Sequence, residues 1–254
     1  MKTVDIAYAG RTVALPDSAA YAKFYRKLAA GSWEPHTFEV LARNLDSGTA
    51  YVDIGAWIGV TPFWASYSAK CVIAVEPDPK CCEILKALVP GYENVRISEG
   101  ALSADKVVTL HAVGEFGSSE TSLLDIGKGS SVEAAGIAME DIMRQAGTGP
   151  VFVKIDIEGY EYLASLEFAK LTQYRLKGLQ IAVHPMLYER SLKGHWLLKR
   201  LRTAWKTWKL CQIFHNHYGP PAIARHGGVI GYVVFGILLS RRPQGADFVF
   251  EQKF

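Results

Sequence analysis

Apolar and polar positions along the first 185 residues switch repeatedly between a period of two, the mark of strands, and a period near 3.6, the mark of helices. Thr3-Val-Asp-Ile-Ala-Tyr-Ala and Thr12-Val-Ala-Leu flank Gly10-Arg11 and predict a β-hairpin turned at the glycine. Residues 18–30 predict a helix capped by Ser18 or Asp17 and ended by Gly31, and a second helix runs from Pro35 to Leu45. Short apolar runs then recur at Tyr51–Ile54, Cys71–Glu76, Asn94–Ser98, Val107–Val113, Pro150–Ile155 and Leu179–Val183. Helical stretches follow Gly59, Asp78-Pro79 (through Leu88) and Gly136, and Gly114–Ser122 is a polar loop. Strands alternating with helices argue for an α/β fold with a mostly parallel sheet. Ligands of such sheets bind beyond the carboxyl ends of the strands. Asp53, Glu76, Asp156 and His184 each end an apolar run, so all four would share that edge.

The C-terminal third is patterned differently. Residues 194–208 have helical periodicity, with Leu197, Leu201, Ala204 and Trp208 in one stripe, Leu198 and Trp205 beside it, and Lys199, Arg202 and Lys206 opposite. The expectation is that the apolar stripe packs on the sheet and the basic face is solvated. Residues 209–215 and 231–240 are expected to close the domain as two strands. The loop between them, 216–228, is long enough to suggest a functional role.

Composition narrows the classes. The 254 residues are 49% hydrophobic and 21% charged, as in a globular protein able to bury a substantial core. We divide the chain into an N-terminal hairpin and helical extension, residues 1–45, and a main domain, residues 46–254. A net charge of +3 is too small to imply a polyanionic partner, so nucleic acid is not the expected ligand. The longest apolar run, residues 229–239, is shorter than the ~20 residues of a membrane-spanning helix. The N-terminus lacks the apolar core of a signal peptide. The four cysteines show neither metal spacing nor a disulfide framework, and a reducing cytoplasm is the expected location.

The chemistry centres on Tyr51-Val-Asp-Ile-Gly-Ala-Trp-Ile-Gly59. Gly55 and Gly59 permit close backbone approach, and Glu76 ends the next strand, where an acid takes ribose hydroxyls. Asp53 so near the turn would repel a pyrophosphate but suits the ammonium group of S-adenosylmethionine. Glu34-Pro35 starts a helix whose N-terminus points at whatever covers the turn. Asp156, Glu158, Glu161 and His184 form a second group. His184, titrating near neutrality, and Asp156 are the candidate bases. The same cluster could hold Mg²⁺ or Ca²⁺ through hard oxygen ligands. Only Asp156 and Glu158 flank one turn closely, so no metal is expected; if one binds, Asp156, Glu158 and His184 are its ligands. His215 and His217 would share a face on a strand, but a loop is the preferred reading there.

These residues resemble the FkbM-type S-adenosylmethionine-dependent methyltransferases. The resemblance rests on Asp53-Ile-Gly-Ala-Trp-Ile-Gly59, Val75-Glu-Pro-Asp-Pro79, the Gly117–Leu123 loop and Lys154-Ile-Asp-Ile-Glu-Gly-Tyr-Glu161, and spans about residues 33–185. It implies a Rossmann-like class I methyltransferase: a seven-stranded, mostly parallel sheet with an antiparallel last strand, helices on both faces, and the N-terminal hairpin/helix extension. It implies S-adenosyl-L-methionine as donor, S-adenosyl-L-homocysteine as product, and a small hydroxylated acceptor such as a sugar or natural product. By position, Asp53, Gly55 and Gly59 would bind the methionine portion and Glu76 the ribose, with Glu34, Ala56, Pro77, Ala101 and Asp156 also on the cofactor. Asp156, Glu158 and His184 would be catalytic. The chain departs from the family at Trp57, at Leu88-Val-Pro-Gly, and at Ala182, where an acid is expected. Two other readings compete. One is a nucleic-acid methyltransferase using the basic helix of residues 193–209; the other is a cofactor-binding domain without catalysis, for which Ala182 is the best support.

Overall fold

A computed structural model describes residues 2–112, 114–119, 121–127, 129–223 and 227–251. Strands β1 (Thr3–Tyr8) and β2 (Arg11–Pro16) pair antiparallel through a two-residue turn, Ala9-Gly10, with both φ angles positive (44° and 77°). That twist matches the right-handed twist of the strands it joins. A 3₁₀ turn, Ala19–Tyr21, has Ser18 as its cap, and helices α1 (Ala22–Ala29) and α2 (Pro35–Asn44) follow.

The chain then builds β3 (Ala50–Ile54), α3 (Val60–Ala65), β4 (Cys71–Glu76), α4 (Pro79–Leu88) and β5 (Val95–Glu99). A side excursion adds β6 (Ala101–Leu102), β7 (Val107–Ala112), β8 (Thr121–Ser122) and β9 (Ser131–Ile137), which form a four-stranded sheet of order β6-β9-β7-β8. Helix α5 (Met139–Ala146) leads back to β10 (Val151–Ile155), then α6 (Ser165–Lys170), β11 (Leu176–Val183), α7 (Pro185–Ser191) and α8 (Trp196–Tyr218). Strands β12 (Ala222–Ile223) and β13 (Ala246–Glu251) complete a seven-stranded sheet of order β12-β13-β11-β10-β3-β4-β5. Strands β11, β10, β3, β4 and β5 run parallel, and β13 is antiparallel to both neighbours.

The sheet separates two cores. On one face Val52, Ile54, Val153 and Ile155 pack with α5, α6 and α8. On the other, Tyr51, Val72 and Phe152 pack with the hairpin, α2 and α3. Alternation within β3 and β10 therefore puts Asp53 and Lys154 on the hairpin side, at paired positions of adjacent strands. Gln180 of β11 pairs with Lys154 in turn, so a polar row crosses the sheet under the N-terminal helices.

The C-terminal third corrects three expectations. Residues 209–215 continue α8, because neither Gly nor Pro interrupts the chain before Gly219, whose N–H closes the helix on the His215 carbonyl. Residues 231–240 are a helical turn, Val229–Gly231, running into a π-helical segment, Tyr232–Leu238; a short apolar run cannot by itself distinguish buried helix from strand. The antiparallel strand is supplied by Ala246–Glu251 instead. The side of α8 expected inside is turned outward: Leu197, Leu201 and Trp208 are exposed, and of that stripe only Ala204 is buried. The helix buries Arg200, Thr203 and Thr207, with Leu210 and Phe214. Thr203 and Thr207 donate to carbonyls one turn back, and Arg200 pairs with Glu189 at 2.7 Å, so the polar groups are satisfied within the core. His215 and His217 lie exposed in the last turn of α8. Residues 224–226 of the expected 216–228 loop, Glu120 of the Gly117–Leu123 motif, and Val113 lie outside the described residues.

Candidate active site

The chain leaves β3 in one direction along the sheet, and β10 lies on the other side of β3, so a crevice opens beyond Ile54 and Ile155. The two strand ends approach so closely there that a Cβ on Gly55 would sit 1.9 Å from the Asp156 carbonyl oxygen. Gly55 also has φ +93°, so both the space and the torsion require glycine. Around the crevice lies a cavity of about 1140 Å³. Sites for a single drug-sized ligand span ~300–1,000 Å³, so the volume accommodates a donor together with a second molecule.

Glu76 forms one wall. Its carboxylate accepts N–H groups from Trp57 and Asp78, each at 2.8 Å. Burial pushes its pKa up to about 7, and the two N–H donors only partly offset that. The roof comes from the N-terminal extension and the loop before β8. Tyr21 and the Trp57 indole both donate to the Gly117 carbonyl, at 3.1 and 3.2 Å, while Asp78 accepts the Gly117 N–H at 2.7 Å. Phe24 packs edge-on against Trp57 and Trp33, at 4.7 and 5.1 Å between centroids.

The floor is a buried charge network. Lys154 Nζ lies 3.1 Å from Asp156 and 3.7 Å from Asp53. Burial alone would depress the Lys154 ammonium, but Asp156, Asp53 and Glu34 hold its pKa above the ordinary value. Burial likewise works against ionised Asp156, and Lys154 and His184 reverse it, leaving that carboxyl below its usual range. His184 Nε2 is 3.6 Å from both Asp156 and Glu158, and Nδ1 is 3.1 Å from Glu161. Glu161, fully buried, also accepts the backbone N–H groups of Gly159 and His184. Burial would make His184 lose its proton, but the bond to Glu161 and the three surrounding carboxylates raise its pKa well above the ordinary value. An imidazolium is a donor, not a base. Glu34, at the start of α2, is raised to about 7 by burial, an effect Lys154 opposes and Asp156 reinforces.

Among the described residues four non-glycine residues have positive φ: Ala9, Glu34, Trp57 and Glu158. Ala9 is the hairpin turn; the other three line the cavity. Glu34 is the more costly for preceding Pro35, which disfavours helical torsions in the residue before it. Such torsions persist where the surroundings over-determine them, commonly at functional sites.

The structure brings together most of the residues singled out from sequence. Glu34, Gly55, Ala56, Glu76 and Pro77 line the cavity, as do Ala101, Asp156, Glu158 and His184. Asp53 and Gly59 lie behind it. The Asp53 carboxylate is wholly buried, accepting from Thr61 and facing Lys154. Gly59 opens α3, where a Cβ would strike the Phe63 ring at 2.2 Å. Asp156, Glu158 and His184 present ligand atoms within 4.8 Å of one another, a spacing compatible with a metal. Sequence reading grouped Glu161 with the site without showing that it fixes His184, and it missed Tyr21, Asp78 and Asp247. Asp247 pairs across strands with Ala182, so an acid stands opposite the position where the family pattern placed one.

A family model, the methyltransferase FkbM domain, matches residues 53–189, more than half of the chain. The chain belongs to the FkbM methyltransferase family. It is an S-adenosylmethionine-dependent methyltransferase with a class I, Rossmann-like fold. No curated protein matches the chain. Among solved structures this FkbM-type methyltransferase is similar to a Streptococcus mutans protein in complex with SAH, at 10% identity and TM-score 0.48, covering 86% of this chain and 97% of that one. It is also similar to an rRNA methylase from Streptococcus thermophilus, at 12% identity and TM-score 0.45, covering 86% and 95%. A fibrillarin pre-rRNA processing protein from Methanococcus jannaschii matches at 13% identity and TM-score 0.44, over 83% and 70%. Among the described residues no helix is long and apolar enough to cross a membrane.

Proposed function

We propose that the protein transfers the methyl group of S-adenosylmethionine to a hydroxyl oxygen of a sugar or other small hydroxylated molecule. The observation that carries this is one cavity holding Glu76 on one wall and the Asp156–His184 pair on its floor, with volume beyond a single ligand. Glu76 takes the ribose hydroxyls; Gly55, Ala56, Pro77 and Ala101 line the donor; Glu34 faces its ammonium end. Asp53 acts through Lys154 and Thr61 as a positioning residue. Residues 1–45 act as the roof.

In the reaction the acceptor oxygen attacks the methyl carbon as the carbon–sulfur bond breaks, its electron pair going to sulfur to leave S-adenosylhomocysteine. Holding the two in line contributes most, ~7–11 kcal/mol when attack geometry is fixed. Asp156, ionised and accepting from Lys154, accepts the hydroxyl hydrogen and takes the proton as the oxygen–carbon bond forms. His184, fixed by Glu161, orients Asp156 and the acceptor with Glu158. A divalent cation held by Asp156, Glu158 and His184 is the second reading, favoured by their spacing. It requires His184 to be neutral, against the pull of its carboxylate neighbours.

Labelled donor with a panel of hydroxylated acceptors, with and without EDTA, tests both readings. Transfer to a small hydroxyl compound that survives EDTA is expected; transfer restored by Mg²⁺ favours the metal reading, and methylation confined to RNA refutes the acceptor class. Cofactor affinity should also depend on pH. Glu34 and Glu76 have pKa values of about 7 in the free cleft, and ribose hydroxyls and an ammonium bind their ionised forms. Affinity for S-adenosylhomocysteine is therefore expected to rise between pH 6 and pH 8, by calorimetric titration, and the slope to diminish in Glu76→Gln.

A further inference from the structure

The outer side of α8 and the π-helical segment after it carry an apolar belt with no part in the cleft. Nine of the fourteen exposed large hydrophobic side chains among the described residues lie here, between Trp196 and Leu239. Singly scattered exposed leucines need no explanation, but a contiguous patch does. Leu197, Leu201, Trp205 and Trp208 recur at helical spacing and are 45%, 49%, 56% and 42% exposed, well round the helix from the buried Thr203, Thr207 and Phe214. Phe235 and Leu239, 61% and 70% exposed, lie on the neighbouring segment. The Arg200 guanidinium binds the Ile237 and Ser240 carbonyls, both at 2.6 Å, and ties the two elements side by side.

Charge is distributed just as unevenly. Residues 190–246 contain ten of the 28 Lys and Arg and none of the 25 Asp and Glu, so the remainder of the chain carries a formal net charge of −7. Arg202 and Lys209 are exposed beside the apolar stripe, with Lys199 and Lys206 half-buried along the same edge. The exposed part of α8 is thus itself amphipathic, apolar and tryptophan-rich on one side and basic on the other.

We propose that this face docks the protein on the surface of an anionic lipid bilayer, lying along it without crossing. Basic residues flanking Trp and Leu on one helix suit the headgroup boundary, where the apolar side chains enter and the cations meet lipid charge. Single-stranded nucleic acid would use the cations and tryptophans, but the aliphatic and phenylalanine part of the belt would gain little from it. A second copy of the chain would bring the same acid-free basic segment against itself. The placement also suits a membrane. Helix α7 starts directly after His184 and leads into α8, and residues 240–245 return to pair Ala246 with Val183. The belt therefore begins at the sheet edge where the cleft opens.

The test is sedimentation with vesicles of equimolar phosphatidylcholine and phosphatidylglycerol, against vesicles of phosphatidylcholine alone, at low salt. Binding to the anionic vesicles is expected. Each basic residue near such a surface raises partition about fivefold, so Lys199→Glu/Arg202→Glu/Lys206→Glu should lower it ~10²-fold or more. Leu201→Gln/Trp205→Gln should lower it at least ~10-fold through lost apolar burial. Both variants are expected to keep the parent melting temperature and soluble methyl transfer, since neither touches the cleft. Absence of vesicle binding overturns the proposal. So does binding that only the charge reversal weakens, or equal binding to neutral vesicles. Two further results would overturn it: an RNA oligonucleotide bound more tightly than the anionic vesicles and released by the same substitutions, or concentration-dependent self-association that they abolish.

Discussion

Asp156→Asn is expected to reduce the single-turnover rate of methyl transfer by about 10²–10⁴-fold, the usual contribution of a positioned base, with affinity for S-adenosylhomocysteine little changed. The substitution keeps the size of the side chain and removes its charge. Two cations face that charge, Lys154 at 3.1 Å and His184 at 3.6 Å. Their attraction holds the carboxyl ionised despite burial and sets its pKa below the ordinary range. Asp156 therefore stays charged across neutral pH, and no loss of rate from its protonation is expected above pH 5. An acid limb near pH 7 would report Glu34 or Glu76 instead, both raised to about that value. The check is rapid-quench turnover with labelled donor across pH 5–9. A rate in Asp156→Asn equal to that of the parent would remove Asp156 from the chemistry.

Lys154→Met is expected to lower stability by about 3–5 kcal/mol at pH 7, the cost of removing one partner from a buried ionic cluster. Lys154 is 3% exposed, and Asp53, beneath it, is fully buried. Without the ammonium Asp53 is left buried with no cation beside it, and Asp156 keeps only His184. The sign of the pH dependence follows. In the parent, Asp156 has a depressed folded pKa, so its contribution is present above the unfolded value of ~3.9 and is lost as pH falls through the folded one. In the variant Asp156 keeps only His184 to oppose its burial, and Asp53, whose carboxyl burial already raises in the parent, loses the ammonium that opposed the rise, so lowering the pH relieves the penalty. Urea unfolding of the two proteins should show the difference shrinking from pH 7 toward pH 4. A difference independent of pH would mean that the loss is one of packing and that the charge network contributes little.

The part of the site legible in the sequence is the part encoded locally. Glu76 and Asp156 end apolar runs, and a strand that stops at an acid in a parallel sheet delivers that acid to the ligand edge. Asp53 reads the same way but sits two residues earlier, level with Lys154 and Ala74, so its carboxylate stays within the sheet against Thr61 and Lys154 and does not pass the strand end. Residue types at a strand end do not disclose that difference. The roles of Tyr21, Asp78 and Asp247 depend on contacts between distant segments, such as the antiparallel register that sets Asp247 opposite Ala182, and no spacing signals them. Glu34 could be suspected from Glu-Pro at a helix start, whereas its left-handed torsion shows only in the structure.

The C-terminal third was hard to read for a different reason. Period alone says that α8 is a helix but not which side faces inward. The apolar stripe is the natural choice when burial is the main drive, yet the inner side here centres on Arg200, Thr203 and Thr207, whose polar groups are all bonded. That inversion leaves Trp205 and Trp208 outside. The segment after it is rich in β-branched and aromatic residues and reads as strand, while the structure makes it π-helical up to Leu238.

The most direct measurement of the central claim is calorimetric titration of the protein with S-adenosylhomocysteine at pH 8, alongside Glu76→Gln. A donor seated beyond β3 and β4, with its ribose on Glu76, predicts saturable one-to-one binding in the parent and at least ~10-fold weaker binding in the variant, the cost of weakening hydrogen bonds to a charged group. Absence of binding in the parent, or identical affinity in Glu76→Gln, would contradict it.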